Sequence, residues 1–212
     1  MTRKTVLTLA LSVAVALLAA ATIIVRLGQR SGRHLPPQAA TRSGMTVLQP
    51  PPDLTAFTLQ DTRDRRFGLP QLRGRWSFVY FGYTHCKDVC PATLATLERL
   101  RRLVGGRAHG IQYVFASVDP RRDSLPVLTR YLARFNPGFL GVTGNNRELE
   151  IFARQMGVFY QSDSPHERTG YDVGHSDEIF LIDPRARLRA VFSSPAHVHT
   201  LAQGLKTLQN EG

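Results

Sequence analysis

The chain has only two cysteines and one tryptophan in 212 residues. Two cysteines exclude a disulfide-dense scaffold and any four-cysteine metal knot. Acid is missing from residues 1–43, which carry six of the 27 Lys and Arg: Arg3, Lys4, Arg26, Arg30, Arg33 and Arg42. The formal charge of +11 therefore overstates the rest of the chain, where 21 basic residues face 16 acidic ones with the signs interspersed. No basic run interleaved with aromatics occurs, so the charge reads as a solvated surface and not as a nucleic-acid-binding stripe. No internal repeat is visible. A content of 42% hydrophobic and 20% charged residues excludes a wholly disordered chain and is enough to fill a core.

Residues 5–25 hold no charge and consist of Leu, Val, Ala, Ile, three Thr and one Ser. As a helix they would span about 31 Å, close to the hydrocarbon thickness of a bilayer. Ala19-Ala20-Ala21 offers the small-residue pattern of a cleavable signal, but the apolar run continues through Ile23, Ile24 and Val25. The reading is a four-residue cytoplasmic leader (1–4) and a single transmembrane anchor or signal (5–25). A Pro/Gly-rich tether (26–52) and one domain (53–212) follow, lying outside the cytoplasm on the inner membrane.

Within the domain, residues 57–59 and a stretch ending at Phe67, separated by Asp61-Thr62-Arg63-Asp64, read as a hairpin. Residues 76–81, short and rich in aromatics, predict a central strand buried on both faces. Pro91 precedes Leu94, Leu97, Leu100 and Leu103 at helical spacing, so a helix runs to about Val104 and cannot begin much before Lys87. A strand (111–118), a helix (124–135), a strand (139–142), a helix (147–156) and a short strand (158–161) follow. A hairpin (179–182 and 188–192) and a helix (195–208) close the chain. This order of elements describes an α/β fold, a thioredoxin-like sandwich with an extra N-terminal hairpin.

Both cysteines fall in Tyr80-Phe81-Gly82-Tyr83-Thr84-His85-Cys86-Lys87-Asp88-Val89-Cys90-Pro91, between a buried strand and a helix start. Positions i and i+4 of a first helical turn share a face, so both sulfurs can point at one object. Amides at the helix start, with Lys87, favour thiolate over thiol. A disulfide would close only a three-residue loop and add little stability, which leaves metal binding or redox chemistry. Soft thiolates select Cu(I) or Zn(II), and a structural zinc site wants four ligands that a chain without a second cysteine pair does not offer. Cu(I) is satisfied by two thiolates and one imidazole. Of the seven histidines, His34 falls in the tether, His85 points away from its neighbour Cys86, and His109, His166, His197 and His199 read as surface residues. His175 stands apart, in Asp172-Val173-Gly174-His175-Ser176-Asp177 directly before a buried strand, where the fold brings a loop beside the cysteine turn. It is the candidate third ligand, against the competing readings of a general base or an ordinary loop histidine. Asp119, Arg122 and Asp123 follow a strand at its carboxyl end and read either as support of the cysteine loop and partner contact or as a charge-paired turn.

The cysteine segment resembles the signature of the Sco/SenC copper-binding proteins. So do Ser117-Val118-Asp119-Pro120 with Arg122-Asp123, and Gly174-His175-Ser176 before Phe180-Leu181-Ile182-Asp183-Pro184. The likeness covers about residues 50–210. It implies a membrane-anchored thioredoxin-like domain binding copper, as Cu(I) and Cu(II), through Cys86, Cys90 and His175. It further implies assembly of the dinuclear copper site of cytochrome c oxidase subunit II, by copper donation, by reduction of that subunit's cysteines, or both. The implied partners are subunit II or a similar copper-site protein, with another copper donor or a thioredoxin-like reductant upstream. Two positions depart from the family pattern: Lys87 stands where proline is usual, and Gly174 where aspartate is frequent. The alternative from another class is a thiol–disulfide oxidoreductase or thiol peroxidase using Cys86 and Cys90 as a redox dithiol on exported proteins. Dedicated thiol enzymes of this fold generally show C-x₂-C and a proline before the strand at 179–182, and this chain has neither.

Overall fold

The computed structural model describes residues 38–42, 44–105, 110–162, 173–175 and 177–211. The expected leader, the apolar span and residues 26–37 of the tether lie outside the described residues. Among the described residues no helix is long and apolar enough to cross a membrane.

In chain order, strands β1 (Gln38–Arg42), β2 (Met45–Gln49), β3 (Leu59–Asp61) and β4 (Arg66–Phe67) and the short helix α1 (Leu69–Leu72) lead into β5 (Trp76–Gly82). Helix α2 (Val89–Val104), β6 (Ile111–Ser117), α3 (Leu125–Ala133), β7 (Leu140–Thr143), α4 (Asn146–Arg154), β8 (Tyr160–Ser162) and β9 (Val173–His175) follow. The chain closes with β10 (Ile179–Ile182), β11 (Leu188–Phe192) and α5 (Val198–Asn210). The main sheet runs β1-β2-β11-β10-β5-β6-β7-β3-β4, and β8 and β9 pair separately. Strands β5, β6 and β7 are parallel, while β10 runs antiparallel beside β5.

Alternation along β5 decides the layers. Phe78 and Tyr80 face one side, where Leu94, Leu97 and Leu100 of α2, Leu128 and Leu132 of α3 and Leu201, Leu205 and Leu208 of α5 cover them. Val79 and Phe81 face the other, against Phe57, Phe67 and the α4 residues Leu149 and Phe152. Each buried leucine contributes about 2 kcal/mol, so the helices are held by their apolar stripes more than by propensity. Leu103, expected on the inner stripe of α2, is 52% exposed, because the stripe passes from Leu100 to Val104, which packs against the core in its place.

The tether reading does not hold over its second half. Residues 38–42 and 45–49 form β1 and β2, and β2 extends the sheet by pairing Val47 with Ala190 of β11, with Met45 buried. An edge strand needs only a partner backbone, which a Pro/Gly-rich composition does not reveal. The N-terminal hairpin is present as β3 and β4.

Glu98, 6% exposed on α2, accepts hydrogen bonds from Arg101 Nε, Arg102 Nε and Asn136 Nδ2, each at 2.8 Å. The Arg101 contact leads in holding its carboxyl at about 2, burial opposes it, and Arg102 and Asn136 add to it. With the folded value below the ordinary 4.5, the stability gained is present above that pH and lost as pH falls toward 2. Glu98→Gln is expected to cost about 2 kcal/mol near neutral pH, allowing for the solvent-exposed guanidiniums, and almost nothing near pH 2, measured by urea unfolding.

Candidate metal centre

Strand β5 ends at Gly82, and a turn closed by Cys86 N–H donating to Tyr83 O at 3.3 Å carries the chain to α2. The helix begins at Val89, with Cys90 as its second residue and Pro91 inside its first turn, where proline is tolerated. Cys86 therefore lies before the helix and not within it. The turn, and not a shared helical face, brings the sulfurs together. The Cys90 N–H donates to Cys86 Sγ at 3.4 Å, and the Cys86 thiol lies within hydrogen-bonding reach of Cys90. Neither sulfur is in a disulfide.

The two thiols have different surroundings. Cys86 is partly exposed, whereas Cys90 is fully buried and accepts a hydrogen bond from Tyr80 Oη at 3.5 Å. A Cβ on Gly82 would stand 2.8 Å from Cys90 Sγ and 2.9 Å from the Phe115 ring, so only glycine lets this thiol lie against the strand end. Burial pushes the Cys90 thiol up to about 12, with Tyr80 and the Tyr83 backbone pulling the other way and Cys86 adding to the rise. This corrects the expectation of a thiolate at that position: removal from water outweighs the helix amides, and Lys87 is exposed on the outside of the turn.

A buried carboxylate clamps the turn from behind. Asp123 Oδ2 accepts from Thr84 N–H at 2.9 Å and Ser117 Oγ at 2.6 Å, and Asp123 Oδ1 accepts from Thr84 Oγ1 at 2.5 Å. Burial raises the Asp123 pKa while these bonds lower it. Arg122 pairs with Asp119, and its guanidinium lies 5.7 Å from the Tyr83 ring centroid. Asp123 thus takes the loop-supporting reading, whereas Asp119 and Arg122 pair with each other as a charge-paired turn.

The backbone of His175 closes β9 opposite Tyr160. Ile179 opens β10 and pairs with Tyr80, whose hydroxyl reaches Cys90. Four residues of chain span at most about 14 Å, so the end of β9 lies within that distance of the start of β10. The imidazole of His175 lies outside the described residues, as do His34, His109 and His166. The loop reading of 172–177 is partly corrected, since residues 173–175 form a strand. His197 and His199 are exposed at the start of α5. The His85 side chain is 54% exposed and turned toward Asp123, its Nδ1 3.2 Å from Thr84 Oγ1. Among the described residues no group of three or more His, Cys, Asp or Glu is gathered for a metal.

Two sulfurs within reach of each other, one of them partly exposed, fit a soft ion of low coordination number. Tyr80 and Gly82 shape the buried thiol's site and escaped the sequence reading, because a buried tyrosine and a strand-end glycine look like ordinary core there.

The SCO1/SenC family profile matches residues 48–210. A protein of Stutzerimonas stutzeri named for copper binding is 34% identical over 155 residues, 72% of this chain and 76% of that one. The mitochondrial SCO2 homologue of Bos taurus is 35% identical over 130 residues, 60% of this chain and 49% of its own length, so the match spans about half of that relative. The structure of Arabidopsis thaliana ScoI with copper bound matches with a TM-score of 0.69 at 28% identity, covering 76% of this chain and 100% of that one.

Proposed function

The chain belongs to the SCO1/SenC family, and on that premise we propose that it is a membrane-anchored copper chaperone acting outside the cytoplasm. It holds copper between Cys86, Cys90 and His175 and helps assemble the dinuclear copper site of cytochrome c oxidase subunit II. The observation that carries this reading is the meeting of the chain's two cysteines in one turn at the carboxyl end of β5. Copper as the cargo is supported by the relative named for copper binding and by the copper-bound Arabidopsis structure. The uncharged run at residues 5–25 supports the anchor.

The unequal burial of the sulfurs suits transfer. An incoming partner thiolate forms a bond to Cu(I) as the bond to partly exposed Cys86 breaks, and the oxidation state of the metal does not change. Cys90, Tyr80 and the Asp123 clamp keep the donor side in place meanwhile. The thiol–disulfide oxidoreductase reading is disfavoured by the C-x₃-C spacing and by the lack of proline between Gly174 and Asp183.

The reduced, oxygen-free protein is expected to take up one Cu(I) per chain in competition with a Cu(I) chelator, and to reduce insulin disulfides far more slowly than a dedicated reductase. Rapid insulin turnover without stoichiometric copper uptake would overturn the reading in favour of thiol exchange.

A further inference from the structure

At the amino ends of β5, β6 and β7, away from the cysteines, lies a cleft of about 630 Å³. Arg63 and Arg65 from the β3–β4 turn, Arg66 of β4, Arg75 before β5 and Arg101 of α2 line it. Asp61, fully buried, builds the turn that presents the first of these. Its Oδ1 accepts from Arg63 N–H at 2.9 Å and Arg65 N–H at 3.0 Å, and its Oδ2 from Arg65 Nη2 at 3.0 Å. Arg101 is paired with Glu98. Among the described residues Arg63, Arg66 and Arg75 have no carboxylate partner, so of the five guanidiniums that line the cleft two are paired and three are not. Tyr113 also lines the cleft, 4% exposed, with a buried hydroxyl that has no hydrogen-bond partner among the described residues. It is near enough to Arg101 and Glu98 to feel their charges.

We propose that this cleft is a binding site for a phosphoryl oxyanion, held by Arg63, Arg66 and Arg75 with Tyr113 as a further donor. Like charges gathered in a concavity repel one another unless an anion offsets them. Planar guanidinium forks match the oxygens of a phosphoryl group, which offers three acceptors and up to two charges, where a carboxylate offers two acceptors and one charge. A seated oxygen would also satisfy the Tyr113 hydroxyl, whose burial without a partner is otherwise unfavourable. The seven residues of β5 put this site about 20 Å from the cysteine turn, so it can be filled whether or not copper is bound. The same chemistry is offered by a free phosphate ester or by the phosphomonoester headgroup of phosphatidic acid.

Isothermal titration of the full chain, metal-free and reduced, distinguishes these. The probes are pyrophosphate and dihexanoyl phosphatidic acid below its micelle concentration, with dihexanoyl phosphatidylcholine and polyglutamate as controls. Saturable binding of one or both phosphoryl probes is expected, and the tighter of the two identifies the source. Arg66→Gln/Arg75→Gln should weaken it by about tenfold or more and Tyr113→Phe by about threefold, with ligand-free unfolding midpoints no lower than the parent's. Arg63→Gln gives an independent variant on an exposed side chain should the double variant be unstable. No binding of either phosphoryl probe, equal binding of polyglutamate, or undiminished affinity in the arginine variants overturns the proposal.

Discussion

Replacing His175 with alanine is expected to weaken Cu(I) binding by on the order of a hundredfold, because the proposed three-donor site would be left as a two-coordinate dithiolate. His199→Ala, at an exposed position in the first turn of α5, is expected to leave the affinity unchanged. The Cys86→Ser/Cys90→Ser double variant is expected to lose tight binding altogether, since hard hydroxyl oxygens do not replace soft sulfur for Cu(I). An anaerobic competition titration against a Cu(I) chelator measures all three. The contrast between the two histidines decides the assignment: equal losses at 175 and 199, or tight binding without the cysteines, removes these residues from the site. Oxygen must be absent, because a disulfide between Cys86 and Cys90 would mimic a lost ligand set.

The second large effect is expected at Asp123. Truncation to alanine leaves the Thr84 N–H, the Thr84 hydroxyl and the Ser117 hydroxyl without their shared acceptor inside the protein. Stranding these groups is expected to cost about 3 kcal/mol, read as a lowered urea midpoint at unchanged slope. Because Thr84 lies two residues before Cys86, the same change is expected to weaken Cu(I) binding in protein that is still folded. Asp123→Asn, which keeps one acceptor oxygen, should fall between alanine and the parent in both measurements. A variant as stable as the parent and equally tight for copper would show that the turn holds its shape without the clamp.

The central part of the fold was legible because its signals are local. The aromatic run at 76–82, the leucines of α2 and the hairpin at 179–192 each carry a period or a turn signal within a few residues. The cysteine spacing marked the candidate site by the same kind of local pattern. Strands β1, β2 and β9 were not legible, since Gln38-Ala39-Ala40 and Val173-Gly174-His175 have no pattern of their own and become strands by pairing. The ionisation of Cys90 was misjudged for a related reason. Lys87 and the helix start are visible in sequence, whereas Tyr80, Gly82 and Phe115 closing over the sulfur depend on β5, β6 and α2 packing together.

The amino-acid sequence by itself determined the family, the order of the central strands and helices, the two sulfurs in one five-residue window and the uncharged stretch at residues 5–25. Tertiary structure alone decided which thiol is buried, that a carboxylate 39 residues from Thr84 fastens the cysteine turn, and that arginines from separate segments line one cleft. Periodicity and spacing are set by neighbours along the chain. Burial and charge clustering are set by neighbours in space, which the sequence brings together only through long-range packing.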